Sequence, residues 1–333
     1  MAHTPNADLA RRLSLLFLCF LTFLNILNFT GRLLPTSLGK QIQETLQFGH
    51  ASLGLLSGYY FVLTYTFASL FFGFLSDRFS RSRIIFGGAF LWGLMTFLSG
   101  MAHNFGQIIA ARMLFGLGQA ALTPAALSLI GEIFPKERRA TATAIYYSGL
   151  PLGGGLSLMV SGWLEPVLGW RGCFLAVGLA TIALAIPALF LPVSRAGNDL
   201  SAQRTKTARV PFSPILLFTL LGAISIVFMG AAGNLRMVWL QNERGFSVTI
   251  GKTAGFMYMF GGLAGTLLGG WLGDAWERRR KNGRLLFAAW SQLIITPCVI
   301  LSYIVSPDSA LFYITWFFAM LGTTLYYGPI YAA

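Results

Sequence analysis

The feature that most constrains this chain is a series of long segments that contain no charged residue. A helix needs about 20 apolar residues to cross a bilayer, because the hydrocarbon core is ~30 Å thick and a helix rises ~1.5 Å per residue. Ten charge-free runs are long enough, and we number them as spans 1 to 10: 13–31, 45–76, 84–111, 113–131, 140–164, 172–194, 210–235, 253–273, 285–307 and 309–333. The strands of a membrane barrel would be shorter, about 10 residues, with alternating polarity. The sequence therefore predicts an all-α polytopic membrane protein.

Composition excludes a soluble protein, and the placement of charge predicts an orientation. Of the 333 residues, 55% are hydrophobic and 11% are charged, whereas soluble domains are about 25% charged. A net charge of +13 would fit a nucleic-acid partner, but seventeen of the 24 Lys and Arg residues fall on the inside if the N-terminus is cytoplasmic. Cytoplasmic loops are enriched in these residues. We predict a multi-pass protein of the plasma (inner) membrane whose partner is the lipid bilayer, not nucleic acid.

An internal repeat divides the chain into two related parts. Residues 54–83 align without gaps on 251–280, with identical pairs that include Gly54/Gly251, Gly73/Gly270, Asp77/Asp274 and Arg81/Arg278. The segment between the two copies becomes polar at 194–210, as is typical of a linker. We predict a first half at 1–193 with six spans, a cytoplasmic linker at 194–210, and a second half at 211–333 with four spans.

The repeated loop carries a resemblance to a known family. GFLSDRFSRSR at 73–83 resembles the loop signature of the major facilitator superfamily, G-x-x-x-D-R-x-G-x-R-K/R, with Ser80 where glycine is usual; GWLGDAWERRR at 270–280 resembles its weaker second copy. The two halves of that family are parallel repeats of six helices. The resemblance implies a major facilitator fold with two parallel six-helix halves, the second incomplete. Spans 11 and 12 are expected beyond Ala333, in a longer gene product.

Span 1 carries a polar stripe, because Thr22, Asn25, Asn28 and Arg32 fall on one helical face. Such a stripe is costly against lipid, so we predict that it lines a cavity where Arg32 meets an anion. The alternative is that Arg32 snorkels to the outer interface. NILNFTGRLLP resembles the N-Y-x-D-R stretch of anion:cation symporters and Spinster-like proteins, with Gly31 in place of the aspartate. The resemblance implies proton coupling through an aspartate that this chain lacks.

Span 4 repeats the pattern, with Arg112, Gly116, Gln119 and Ala120 on one face. It resembles the family motif R-x-x-x-G-x-G-x-A/E, in branches that often have glutamate where Gln119 stands. Arg112 is expected about two turns inside the membrane, where arginine stays charged and needs an anion, carbonyl groups or water. We therefore predict a substrate site made of Asn25, Asn28, Arg32, Arg112, Gln119 and Arg236. The alternative for Arg112 is that neighbouring carbonyl groups hold it permanently.

The eleven carboxylates all avoid the middle of the spans. Arg32, Arg112 and Arg236 therefore have no acidic residue at the same depth in the membrane, and this favours an anionic substrate. A proton symporter normally needs a titratable group in its cavity, so we predict little dependence of transport on a proton gradient.

The two loop motifs are predicted to act as gates on the cytoplasmic side. Their residues are Asp77, Arg78, Arg81, Arg83, Asp274 and Arg278, with Glu132 as a partner for Arg81. The family resemblance implies that Asp77 contacts the N-terminus of span 11, and that Asp274 faces the start of span 5 near Arg139 and Thr141. A purely topogenic role for the basic residues is the alternative.

Span 5 contains small residues at regular spacing, among them Gly149 and Gly153, with Pro151 between them. YYSGLPLGGG resembles the family motif G-x-x-x-G-P-x-x-G-G with the proline shifted. Small residues allow helix backbones to approach closely in lipid. We predict a helix-packing role for these three positions, and a hinge is the alternative.

Catalytic and metal-binding patterns are not recognisable in the sequence. His3, His50 and His103 are scattered, and the three cysteines lie in apolar runs. We therefore predict a protein that is not an enzyme, uses no cofactor or metal, and acts as a monomer. The leading hypothesis is secondary active or facilitative transport of a small organic anion or anionic amphiphile by alternating access. The alternatives are a Spinster-like carrier of lysolipids or amphiphiles, and a non-transporting membrane sensor on the same fold.

Overall fold

A computed structural model of the chain describes residues 5–76, 80–190, 235–280, 283–306 and 308–326. Every regular element in these ranges is a helix. We number the α-helices in chain order: α1 Pro5–Ser37, α2 Gly39–Leu46, α3 His50–Gly54, α4 Tyr60–Ser76, α5 Arg81–Gly100, α6 Phe105–Gln119, α7 Leu122–Ile133, α8 Lys136–Tyr147, α9 Gly149–Ala185, α10 Arg236–Asn242, α11 Ile250–Glu277, α12 Gly283–Ile304 and α13 Ala310–Leu325. A π-helical turn at Leu55–Tyr59 joins α3 to α4, and a 3-10 turn at Ile186–Phe190 follows α9.

Five helical segments of the described chain are long and apolar enough to cross a membrane. They are Arg12–Ser37, Arg81–Gly100, Phe105–Ile133, Ala142–Phe190 and Leu286–Ile304, and the shorter apolar helices Tyr60–Phe72 and Ala310–Leu325 accompany them. The predicted all-α membrane architecture is confirmed. Span 7 at 210–235 and the linker at 194–210 fall almost wholly outside the described residues, so the limits of the two halves stay predictions.

The boundary between spans 3 and 4 lies ahead of Arg112, as the depth expected for that residue requires. α5 ends at Gly100 and α6 begins at Phe105, so Arg112 is about two turns inside α6. The side chain of Asn104 caps α6 by accepting a hydrogen bond from the Gln107 N–H. Arg112 therefore lies inside a helix, where a buried partner rather than water has to satisfy it.

A turn at Gly169 folds α9 back on itself. Gly169 has φ +67°, a left-handed conformation that a residue without a Cβ adopts at little cost. The arm before this turn packs against α1 and α11, and the arm after it packs against α5, where Gly178 lies on Phe97. One helical segment, Ala142–Phe190, thus supplies both predicted spans 5 and 6.

The first arm of α9 crosses α11 with the two backbones in close contact. A Cβ added to Gly155 would lie 2.7 Å from the carbonyl oxygen of Gly255, and one added to Gly251 would lie 2.5 Å from that of Leu158. Such crossings depend on small residues, because lipid tails offer no hydrophobic driving force for helix association. This crossing joins the N-terminal part of the bundle to the part formed by α11, α12 and α13.

The predicted packing residues of span 5 lie on both sides of the same arm. Gly149 lies against Asn25 of α1, Gly153 against Ile26 and Phe29 of α1, and Pro151 against Gly262 of α11. Each contact is one between helices packed side by side. A role in packing is what these contacts support, while a hinge at Pro151 stays a prediction.

Candidate functional site

The polar stripe of α1 faces other helices of the first half. Asn25 and Asn28 are buried, and the Asn25 Nδ2 donates to the carbonyl oxygen of Tyr146 in α8 at 2.9 Å. The Asn28 Oδ1 accepts from the Nε2 of Gln119 in α6. Two amides of the stripe thus bond to α6 and α8. The cavity beside the stripe, and substrate contacts by Asn25 and Asn28, stay predictions.

The amide of Gln119 has a fixed orientation. Its Nε2 donates to the backbone oxygen of Asn28 at 3.2 Å as well as to the Asn28 side chain. A carbonyl oxygen only accepts, so Nε2 and not Oε1 has to face it. Gln119 is 2% exposed, and its Oε1 has no hydrogen-bond partner among the described residues. An ionised glutamate at this position could not make either of these bonds, because it has no donor.

Arg112 is held by two backbone carbonyl groups of α1. It is 1% exposed, and its Nη1 and Nη2 donate to the oxygens of Gly31 and Arg32, each at 3.1 Å. Its guanidinium carbon lies 4.0 Å from the centre of the Phe115 ring. These bonds are the ones that the alternative interpretation, an arginine held by neighbouring carbonyl groups, describes. The contact of Arg112 with a substrate anion stays a prediction.

Arg32 occupies a different environment on the same helix. Its side chain is half-buried, and the guanidinium carbon lies 4.6 Å from the ring centre of Phe61 and 5.7 Å from those of Phe29 and Tyr65. Phe61 and Tyr65 are one turn apart on α4 and their rings stack. Three aromatic rings therefore lie close to one cation. Sequence reasoning identified Arg32 but missed the rings of Phe61 and Tyr65, because α1 and α4 meet only in the fold.

Arg236 lies between aromatic rings of the second half. It is 5% exposed, with its guanidinium carbon 4.6 Å from the Tyr303 ring centre and 4.7 Å from that of Trp316. Its Nη2 donates to the carbonyl oxygen of Ser302 at 3.2 Å. These contacts fasten α10 to α12 and α13. The predicted contact of Arg236 with substrate remains untested.

The loop motif of the first half contains the expected ion pair. Arg81, buried at the start of α5, pairs through Nη1 with Oε1 of Glu132 at the end of α7. Arg83 is exposed. Asp77 and Arg78 lie outside the described residues. The Arg81–Glu132 contact is present as predicted, and its role as a gate stays a prediction.

The loop motif of the second half makes a contact that the sequence did not indicate. Asp274 Oδ1 accepts from Nε and Nη2 of Arg284 at 3.0 and 2.8 Å, across the connection between α11 and α12. Arg278 is exposed. The side chains of Arg139 and Thr141, which we expected near Asp274, lie outside the described part of α8, so that expectation is untested. In the described ranges no His, Cys, Asp and Glu side chains group as a metal site requires.

Fold and site together define a multi-pass helical membrane protein with a repeated loop and buried, carbonyl-bonded arginines. The family model of the Major Facilitator Superfamily matches residues 18–333, and the chain belongs to this family. The resemblance read from the two loop motifs is thereby confirmed.

Solved and curated relatives agree with this assignment. The fold is similar to the crystal structure of a bacterial homolog to the human lysosomal transporter Spinster, with a TM-score of 0.80 and 24% identity over 99% of this chain and 75% of that one. The sphingosine-1-phosphate transporter SPNS2 of Xenopus tropicalis is 29% identical over 52% of this chain and 34% of its own length. The 4-hydroxybenzoate transporter PcaK of Pseudomonas aeruginosa is 26% identical over 65% of this chain and 57% of its own length. The chain thus spans about a third to a little over half of these two transporters.

Proposed function

We propose that this protein carries a small organic anion or an anionic amphiphile across the membrane by alternating access. The observation that carries the proposal is the setting of Arg32, a half-buried cation with the centres of three aromatic rings within 5.7 Å of its guanidinium carbon. A guanidinium binds carboxylate and phosphate groups with two parallel hydrogen bonds. The rings of Phe29, Phe61 and Tyr65 offer apolar surface for the body of the same ligand.

The charge distribution supports an anion rather than a cation. Arg112 and Arg32 lie close together, since Arg112 bonds to the backbone of Arg32. The carboxylates whose side chains are described lie at helix ends or beside the Gly169 turn: Glu44, Glu132, Glu165, Glu243, Asp274, Glu277 and Asp308. Two adjacent cations at membrane depth attract an anion strongly, because water and counter-ions are scarce there.

The relatives support the same class of substrate. One is named for 4-hydroxybenzoate, an aromatic carboxylate, and another for sphingosine-1-phosphate, an anionic amphiphile. Both combine an anionic group with an apolar body, which is the combination that Arg32 and its rings offer. An amphiphile is the second candidate, and it would require a route for a long chain beside α4.

Coupling to protons is not part of the proposal. Gln119 and Gly31 carry no titratable group, and Gln119 is already bonded as an amide. Transport would then be facilitative or an exchange of anions. The positive-inside distribution of Lys and Arg supports an orientation with the N-terminus and the Arg81 end of the bundle in the cytoplasm. The membrane we propose is the plasma (inner) membrane.

Uptake into proteoliposomes tests the proposal. Labelled 4-hydroxybenzoate and sphingosine-1-phosphate are offered separately, without a proton gradient, to the wild type, to Arg32→Ala and Arg32→Lys, and to the matched control Arg12→Ala, at an exposed residue of the same helix. We expect saturable uptake of one anion, loss of at least tenfold in Arg32→Ala, partial recovery in Arg32→Lys, and wild-type uptake in Arg12→Ala. Full uptake by Arg32→Ala would contradict the assigned site. Binding without transport would favour the sensor alternative.

A further inference from the structure

Two short helices hold equivalent places in the repeat. When the alignment of 54–83 on 251–280 is extended towards the N-terminus, 39–46 falls on 236–243. These are the bounds of α2, Gly39–Leu46, and nearly those of α10, Arg236–Asn242. The structure places the two helices against each other. A Cβ added to Gly39 would lie 2.8 Å from Cγ2 of Val238, so the contact is close.

Polar side chains join these helices. Nε2 of Gln41 donates to Oε1 of Gln241 at 3.0 Å, and Nζ of Lys40 donates to the Gln241 carbonyl oxygen at 3.3 Å. Gln241 is 3% exposed, although it lies at the end of the bundle. Beside this contact an open cleft of about 690 Å³ is lined by residues of both connections, among them Glu44, Phe48 and Glu243.

Each of the two helices is fixed to its own half. The N–H of Leu38 bonds to the oxygen of Leu34, and that of Ile42 bonds to the oxygen of Leu38, so α2 continues from α1. In the second half, Arg236 bonds to Ser302, and Arg244 donates to the Tyr303 oxygen at the end of α12. When the halves move relative to each other, α2 therefore follows one half and α10 the other.

We propose that Gln41 and Gln241 form a latch that closes the α2 end of the bundle, and that Arg236 is the positioning residue that holds α10 in register for it. This inference rests on the proposed alternating access, in which the two halves separate at one end at a time. The latch bonds uncharged amides, so its opening breaks weak bonds and does not separate an ion pair. By the positive-inside distribution, this end faces away from the cytoplasm.

Cross-linking tests the latch directly. In a background with Cys19, Cys173 and Cys298 replaced by serine, Gln41→Cys and Gln241→Cys are combined and treated with a short bifunctional methanethiosulfonate. We expect an intramolecular cross-link that shifts mobility on a gel, cuts 4-hydroxybenzoate or sphingosine-1-phosphate uptake at least fivefold, and is reversed by reductant. The two single-cysteine variants should keep their uptake after the same treatment.

The outcomes separate the latch from the proposed function. A cross-link in a protein that transports neither anion even when reduced leaves the latch standing and overturns the transport proposal. Failure to cross-link, or a cross-linked protein with full uptake, overturns the latch.

A second pair of substitutions tests the latch without cross-linking. Gln41→Glu combined with Gln241→Lys should form an ion pair and slow uptake severalfold. Unchanged uptake in this double variant also counts against the latch. Arg236→Lys should lower the cross-linking yield, whereas a purely structural arginine would lower the amount of folded protein and leave the yield unchanged.

Discussion

Nη1 of Arg112 donates to the carbonyl oxygen of Gly31 at the one turn of α1 where proline removes a backbone donor. In a regular helix the oxygen of residue 31 accepts from the N–H of residue 35, and Pro35 has no N–H. The arginine of α6 therefore replaces a hydrogen bond that α1 cannot make. One contact thus gives the buried guanidinium of Arg112 an acceptor and the Gly31 carbonyl oxygen a donor.

The first prediction follows from this replacement. Arg112→Ala should lower stability by roughly 1–2 kcal/mol, in the range measured for polar contacts between membrane helices. The double variant Arg112→Ala with Pro35→Ala should recover part of the loss, because residue 35 regains its N–H. Thermal unfolding in detergent, followed by size-exclusion chromatography, measures both. Equal losses in the single and double variants would show that the Gly31 carbonyl does not need the arginine.

A pH-dependent variant is the second prediction. Uptake by the wild type should be nearly flat between pH 5 and pH 8, since Gln119 donates to Asn28 at every pH. In Gln119→Glu the protonated carboxyl can still donate, but the ionised carboxylate cannot. Uptake by this variant should therefore fall as the pH rises through the pKa of the new carboxyl. Gln119→Met, which cannot titrate, serves as the control, and a flat profile for Gln119→Glu would refute the donor role.

The crossing of α9 and α11 gives a third prediction with a control on the same helix. A Cβ at Gly255 would lie 2.6 Å from the oxygen of Gly155, whereas one at Gly270 meets nothing within 4 Å. Gly255→Ala should destabilise the protein by about 1–3 kcal/mol through overpacking. Gly270→Ala should be neutral or slightly stabilising, because alanine favours the helix. The melting temperatures of the two variants test this difference. Equal values would mean that α9 and α11 do not cross this closely.

The ion pair of the first loop motif gives a fourth prediction. Arg81→Glu and Glu132→Arg should each slow uptake severalfold, because either change leaves two like charges together. The charge-reversed double variant should recover much of the loss, as a double-mutant cycle detects for coupled residues. Arg279→Glu, at an exposed basic residue that is not among the predicted gate residues, controls for the change of loop charge. Additive losses in the double variant would indicate a topogenic role only.

More of the fold than of the candidate site could be predicted from the sequence. Lipid solvates only apolar segments, so runs without charge report the helices that cross the membrane, and the repeat around Asp77 and Asp274 reports the two halves. The short helices α2 and α10 escaped notice, because eight and seven residues carry too little periodicity. The particular partners of Arg112 and Arg236 could not be predicted either, because they belong to other helices, which meet these arginines only in the tertiary structure. Pro35, four residues after Gly31, was a usable signal for the Arg112 contact.

Recognition of an organic anion by Arg32 and its aromatic neighbours can be measured as binding, separately from transport. The measurement is titration calorimetry on the purified protein in lipid nanodiscs, with 4-hydroxybenzoate and its neutral analogue 4-hydroxybenzyl alcohol. We expect the wild type to bind the anion at least tenfold more tightly than the alcohol, and Arg32→Gln to bind both compounds equally weakly. Equal affinity of the wild type for the two compounds, or an anion preference that survives Arg32→Gln, would contradict this expectation.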